Sequence, residues 1–337
     1  STAPTIVSYT ASPAAGCAPL ETTFAWETTG AAKVSITGVG NDLPANGSVA
    51  STVNASGDFV LTDGAWGTQL QQRGLGPGEF PDLWNLTHPV RVSDVARAYV
   101  DAGSQVVLTN TFGANRIRLA EVGAGVDVAA INRAGVGLSK RAAAGRALVF
   151  ASIGPSGKLL LTGDVSPEDL ERAFAEQANA LAEGGADALV VETMADLDEA
   201  CIAVAAARAT GLPVVASMVF DAGPALDHTM MGASPEDVAR TLTDAGADVV
   251  GANCGQGIAG FVDICRRLHA ATSRPIWIKA NAGLPEVEDG RTVYRTTPEA
   301  FARHVPALLD AGASYIGGCC GTSPEFIAAL RRHPTAG

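Results

Sequence analysis

YVDAGSQVVLTN (99–110), LAEGGADALVVE (181–192), LTDAGADVVGAN (242–253) and LLDAGASYIGGC (308–319) are four versions of one unit. In each, a helical stretch closes on small or acidic residues, a glycine follows (Gly103, Gly185, Gly246, Gly312), and a short strand-like run comes next. Glycine there accepts the left-handed backbone that ends a helix and turns the chain into a strand. Seven residues past each glycine stand Asn110, Glu192, Asn253 and Cys319. Equal spacing puts these four at one level, the carboxyl ends of the second, fourth, sixth and eighth strands. A packed core does not ask for polar side chains at four equivalent strand ends.

Working outward, strands are predicted at 59–62, 105–109, 147–153, 188–192, 214–219, 249–252, 276–280 and 314–317. Amphipathic helical stretches lie between them, among them 167–183, 235–245, 260–271 and 298–311. Several open on Ser-Pro or Thr-Pro, an N-cap with proline at the first helical position. Eight strands, each followed by a helix, predict an α/β protein of the (β/α)8 TIM-barrel type, whose active sites lie at the carboxyl ends of the strands. An open doubly wound sheet is the alternative, but the glycine-rich dinucleotide fingerprint after the first strand is missing.

Residues 1–57 follow another grammar. They hold 16 Ser or Thr, no Arg, and only four charged residues, Glu21, Glu27, Lys33 and Asp42. Short β-branched or alternating runs at 22–26 and 33–37, punctuated by Gly-Asn-Asp and Asn-Gly, predict a small β-rich segment. Through "PTIVSYTASP", "TTFAWETTGAAKVSIT" and "NGSVASTV" it resembles part of the immunoglobulin-like modules of bacterial surface proteins. The expected organisation is therefore a partial immunoglobulin-like segment, 1–57, and a barrel, 58–337. No catalytic role is expected of the first, or of Cys17 within it.

The chain has 337 residues and a net charge of −12, a balance that argues against nucleic acid or anionic membrane as partner. No apolar run is long enough to span a bilayer, and no signal peptide is visible. Six cysteines are too sparse for a disulfide scaffold. Cys201 and Cys265 lie in helical stretches, where cysteine is usually a small buried hydrophobe. Cys319 and Cys320 are adjacent, and a bridge between neighbours is far from normal disulfide geometry. With Cys254, at the end of the sixth strand, they invite a metal reading.

Three thiolates with no obvious fourth protein ligand fit a catalytic Zn2+ with one open position. Zinc favours the deprotonated form of a bound thiol, whereas a free thiol, with a pKa of about 8.5, is mostly protonated at neutral pH. Three anionic sulfurs leave the metal a weak Lewis acid, which suits a nucleophilic substrate thiolate better than water activation. The alternatives are a structural zinc completed by His269 or His304, redox-active cysteines, and three cysteines that are simply buried.

"DGAWGTQLQQRG", "TNTFGANRIRLAEVG", "ASIGPSGKLL", "VVETMADLDEA", "GANCG", "NAGLPE" and "GGCCGTSPEFI" resemble the homocysteine S-methyltransferase family, in order, from about residue 58 to 327. The likeness is greatest to the homocysteine-binding module of cobalamin-dependent methionine synthase, and more distant to the betaine- and S-methylmethionine-dependent enzymes. The resemblance implies a (β/α)8 barrel, zinc ligands at Cys254, Cys319 and Cys320, and a homocysteine site. It further implies that Asp63 and Gly64 help hold the amino-acid end of homocysteine and that Glu192 contacts its amino group. A carboxylate facing an ammonium in a partly dry pocket is a strong pairing. Asn110, Asn253, Thr111 and Asn281 are weaker candidates around the substrate.

Folate- and cobalamin-binding modules are not expected within this sequence. The methyl donor is therefore read as a separate methylated corrinoid protein, with S-methylmethionine or betaine as the alternative. The loop GLGPGEFPDLWNLTHP (74–89) is placed over the donor, and its Trp84 offers an aromatic face to a cationic methyl group. A thiol-binding module without turnover, or a different thiol or selenol acceptor, is the remaining reading. An open thiolate site is expected in a reducing cytoplasm.

Overall fold

The computed structural model describes backbone and side chains for residues 59–123, 125–288 and 292–332, and within residues 1–58 only the backbone of five strands. By contacts the chain divides into two compact units, Ser1–Asp58 and Phe59–Pro334. In the first, β1 (Thr5–Pro13), β2 (Leu20–Thr29) and β5 (Gly47–Val53) form an antiparallel sheet in the order β1-β2-β5. There β3 (Lys33–Ile36) and β4 (Gly40–Pro44) pair antiparallel. Cys17 lies outside the described residues.

The second unit is a (β/α)8 barrel. Its strands are β6 (Val60–Leu61), β7 (Val106–Val107), β8 (Leu148–Ile153), β9 (Ala188–Met194), β10 (Val214–Met218), β11 (Val249–Gly257), β12 (Ile276–Asn281) and, after a small hairpin β13 (Glu286–Glu288) and β14 (Arg291–Val293), β15 (Ala313–Gly318). All eight barrel strands run parallel, in the order β6-β15-β12-β11-β10-β9-β8-β7. The seam between β6 and β7 is drawn together by Gln105. Its backbone N–H donates to the Leu61 carbonyl at 2.7 Å, and its side-chain oxygen accepts from the Leu61 N–H at 2.9 Å. Asp63 adds a stitch by accepting from the Leu108 N–H at 2.7 Å.

The predicted glycine caps have the backbone the argument requires: Gly103, Gly185, Gly246 and Gly312 all lie at φ between 89° and 112°. Ser166 and Ser234 close capping boxes with Asp169 and Asp237 at the starts of the helices Pro167–Glu183 and Pro235–Asp244. The single helix predicted over 298–311 is instead two, Pro298–Ala302 and Val305–Asp310. Pro306 explains the break, because its ring crowds the carbonyl four residues earlier and it has no N–H to donate.

Two apolar layers follow from strand alternation. Ile276, Ile278 and Ala280 face the helix layer, while Trp277 faces the barrel interior with Val106, Leu108, Phe150, Val190, Val215 and Val249. Trp277 stacks on Phe150 at 6.3 Å between ring centroids and tilts against Tyr315 at 5.4 Å. The interior is thus filled by side chains, and any site must sit above this plug.

Candidate metal centre and acceptor cavity

One step further along the same inward-facing parity, the side chains become polar. Ser152 follows Phe150, Glu192 follows Val190, Ser217 follows Val215 and Lys279 follows Trp277; Asn253 stands two steps beyond Val249 on β11. All five are buried. They form a polar tier directly on the apolar plug, at the carboxyl ends of the strands.

Beside this tier lie three sulfurs. The Sγ atoms of Cys254, Cys319 and Cys320 fall within 4.8 Å of one another, and among the described residues no His, Asp or Glu joins the group. His269 and His304 therefore do not complete it. The Cys254 and Cys320 sulfurs are 3.8 Å apart. Zinc–thiolate bonds of about 2.3 Å in a tetrahedral set place sulfurs about 3.8 Å apart, so the spacing fits a metal of that kind. Hydrogen bonds among the sulfurs pull in both directions: the bond to Cys319 lowers the Cys254 thiol and the bond to Cys254 lowers the Cys320 thiol, while the third sulfur opposes each. Burial leaves Cys254 raised to about 11, Cys320 to about 12, and Cys319 raised as well.

The backbone that delivers the sulfurs is specialised. Cys254 lies at φ 63°, in left-handed space that a residue with a Cβ seldom enters. The register of β11 against β12 slips between Cys254 and Gly257, which turns the sulfur out of the strand's alternation and toward the mouth. Asn253 anchors this bend. Its Oδ1 accepts from the Thr193 N–H at 2.9 Å and the Ser217 hydroxyl at 2.7 Å, and its Nδ2 donates to Thr193 Oγ1 at 2.6 Å. Thr193 is itself at φ 60°.

The adjacent pair is pinned from the other side. Cys319 N–H donates to the Ala280 carbonyl at 2.7 Å, and the Cys320 carbonyl accepts from Ala282 at 2.9 Å. Thr322 then joins this turn to the first loop, donating its hydroxyl to the Cys319 carbonyl and accepting from the Ala65 N–H. A Cβ on Gly64 would come within 2.7 Å of Thr322 Oγ1 and 2.8 Å of the Tyr99 hydroxyl. Glycine at 64 is thus a packing requirement of the loop beside the sulfurs.

The three cysteines, Glu192, Gly64 and Asn110 all line one cavity of about 540 Å³. That is ample for a small amino acid together with a second reactant. Phe80, Trp66 and Phe112 give its walls an aromatic character, and the loop 74–89 contributes residues 78–82. A larger surface hollow of about 720 Å³, beside Leu160 and Cys201, shares no residue with it and gathers no set of converging polar groups.

Several of the candidate residues also hold the surrounding structure together. Asp63 is fully buried and does not line the cavity. One carboxylate oxygen accepts from the Trp66 indole at 2.8 Å and the Leu108 amide, and the other pairs with Lys279 Nζ at 2.5 Å. Asn253 acts through the bend and does not line the cavity. Asn110 donates to the Pro81 carbonyl and Asn85 Oδ1, holding the 74–89 loop. Thr111 donates to the Ser152 carbonyl, and Asn281 donates to the Gly255 carbonyl while its own Oδ1 is buried without a partner. Trp84 is buried rather than offered to a donor, with the His88 ring tilted against it at 4.5 Å between centroids and the Arg91 guanidinium 5.1 Å from its ring.

Lys279 is the residue the sequence reading missed. Its side chain is 3% exposed, and it lines the cavity together with Glu192. Burial pulls its ammonium down, but Asp63 and Glu192 more than reverse this, so its pKa is raised. Burial also raises the Glu192 carboxyl, with Lys279 and the 2.5 Å hydrogen bond from Ser152 opposing it.

Fold and site together define a barrel with a three-thiol cluster able to hold a soft metal and a cavity of about 540 Å³ at the carboxyl ends of its strands. The chain belongs to the homocysteine S-methyltransferase family, whose model matches residues 60–333. It is 30% identical over 288 residues to methionine synthase of Mycobacterium tuberculosis, covering 80% of this chain and 24% of that protein. It thus spans about a quarter of the mycobacterial methionine synthases it matches. Identity is also 30% over 306 residues to betaine--homocysteine S-methyltransferase 1 of Danio rerio, covering 83% of this chain and 74% of that one. Among solved structures, the metallated homocysteine methyltransferase MmuM of Escherichia coli matches with a TM-score of 0.68 at 26% identity, over 81% of this chain and 96% of that chain.

Proposed function

We propose that this protein methylates the thiol of homocysteine to give methionine, with zinc held by Cys254, Cys319 and Cys320. The observation that carries the reading is the convergence of three sulfurs within 4.8 Å of one another, one pair of them at the tetrahedral spacing, with a buried carboxylate in one cavity. Zinc bound there would keep the acceptor sulfur as a thiolate at neutral pH. Glu192, fixed by Ser152, faces the acceptor ammonium and orients the amino acid. Gly64, on the cavity wall, presents its backbone to the amino-acid end of the acceptor. The thiol proton goes to solvent, the sulfur–methyl bond forms, and the methyl–donor bond breaks with its electron pair leaving on the donor. The aromatic walls keep water from the reacting sulfur.

For the donor, likeness to methionine synthase favours a methylated corrinoid carried by a separate protein. Likeness to betaine--homocysteine S-methyltransferase 1 favours a small donor such as betaine or S-methylmethionine, and the aromatic mouth suits a cation. Among the described residues no helix is long and apolar enough to cross a membrane. We place the protein in a reducing cytoplasm because its three site thiols must stay reduced to bind metal.

The test is a donor screen with homocysteine, scored for methionine, beside metal analysis. About one zinc per chain is expected, lost together with activity in Cys319→Ala. Full activity in a metal-free preparation would overturn the zinc assignment. Homocysteine binding with no methionine from any donor would make this a thiol-binding module.

A further inference from the structure

We infer that Lys279 is the residue that recognises the acceptor's carboxylate, so that the cavity reads a zwitterion between Glu192 and Lys279. The inference rests on the homocysteine reading and adds a specificity determinant to it. An ammonium carries three N–H donors. Asp63 accepts one, and among the described residues no second acceptor is hydrogen-bonded to Lys279 Nζ. Its lower side is closed by the Trp277 ring, whose centroid is 5.8 Å away. Strand alternation and that ring leave the cavity as the direction open to the remaining donors, and Lys279 lines its wall.

The carboxylates on this tier are differently engaged. Both oxygens of Asp63 are taken by Trp66, Leu108 and Lys279, so Asp63 holds the lysine rather than the substrate. Glu192 gives one oxygen to Ser152 and lines the cavity. A negative and a positive group thus meet the same space, complementary to an ammonium and a carboxylate on one carbon. A lysine present only to neutralise Asp63 makes a different prediction. Asp63, Glu192 and Lys279 together carry one surplus negative charge, which a bare thiol amine would balance better than a zwitterion.

Calorimetric titration of the zinc-loaded protein separates the two roles without a methyl donor. The probes are L-homocysteine, mercaptopropylamine (which lacks the carboxylate) and mercaptobutanoate (which lacks the amine). The wild type is expected to bind homocysteine about 10- to 100-fold more tightly than mercaptopropylamine, the range of a charge-assisted hydrogen bond. In Lys279→Met that preference should shrink to within about threefold, with mercaptobutanoate binding lost and mercaptopropylamine binding kept. Should the lone buried Asp63 charge unfold that variant, Asp63→Asn with Lys279→Met removes both charges and is read the same way. An unchanged homocysteine-to-amine ratio in the variant, or no preference in the wild type, overturns the role of Lys279 alone. Failure of the wild type to bind homocysteine overturns the acceptor assignment, and this inference with it.

Discussion

Asn253 reaches the cavity only through Cys319, its Nδ2 donating to that sulfur at 3.9 Å, and it organises two backbone bends that a side chain ordinarily resists, at Thr193 and at Cys254. Asn253→Ala leaves buried donors on Thr193 and Ser217 without acceptors. It is expected to cost about 2–4 kcal/mol of stability and to weaken zinc binding about 10- to 100-fold, as loss of a ligand-orienting group does. Urea unfolding and competition with a chromophoric chelator measure the two; unchanged zinc affinity would remove Asn253 from the site. Asp82 offers a test in pH. Burial raises its carboxyl from 3.8 to about 6, against the backbone hydrogen bonds of Asp82 and Gly113 and the charge of Arg118. The folded state holds this proton more tightly than the unfolded chain, so the stability it contributes is present below pH 3.8 and is lost as pH rises through about 6. Asp82→Asn keeps the acceptor for the Gly113 amide. It is expected to stabilise the protein at pH 7 by at most about 3 kcal/mol, a gain that shrinks toward zero near pH 4. Equal gains at both pH values would contradict the buried-charge account. At this scale the cysteines were legible in sequence because adjacent thiols are chemically odd. Lys279 was not, because a lysine two residues past a tryptophan looks the same whether its strand is central or exposed.

At the scale of elements, the glycine ruler located the second, fourth, sixth and eighth strands because a left-handed helix cap is a local event with a local sequence cost. Ser166 is a further local device, accepting from the Asp169 N–H at 3.1 Å while Asp169 reaches back to the Ser166 N–H. Ser166→Ala is expected to lower stability by about 1 kcal/mol. Ser234→Ala, on another helix, should act alike, and the two losses should add because they share no partner. Thermal unfolding of single and double variants checks this, and a double loss no larger than one single would show that one cap is idle. The ruler did not reach Ser152, Ser217 or Lys279, since their strands follow turns of other lengths. Inward parity would have found them, but parity can be assigned only once it is known which face of each strand looks inward. The predicted helix at 298–311 failed where amphipathic spacing hid the local veto of Pro306.

For the whole molecule, every sulfur, carboxylate and ammonium of the site lies in the unit Phe59–Pro334, which has its own core. Removal of residues 1–58 is expected to leave zinc content and homocysteine affinity within about twofold, because a unit with its own core can fold alone. Metal analysis and calorimetry on the shortened chain are the check; a metal-free or aggregated product would tie the β-rich segment to the barrel's integrity. By itself the sequence determined the barrel, the level of its strand ends, and the three thiols as a metal-seeking set, since these follow from local caps, alternation and residue chemistry. Only the tertiary structure decided which polar side chains share a space. It tied Asp63 to Trp66, Leu108 and Lys279, tied Asn253 to Thr193 and Ser217, and brought Lys279 onto the cavity wall beside Glu192. The reason is physical: closing eight strands into a ring sets residues far apart in sequence a hydrogen bond apart, and no local pattern carries that distance.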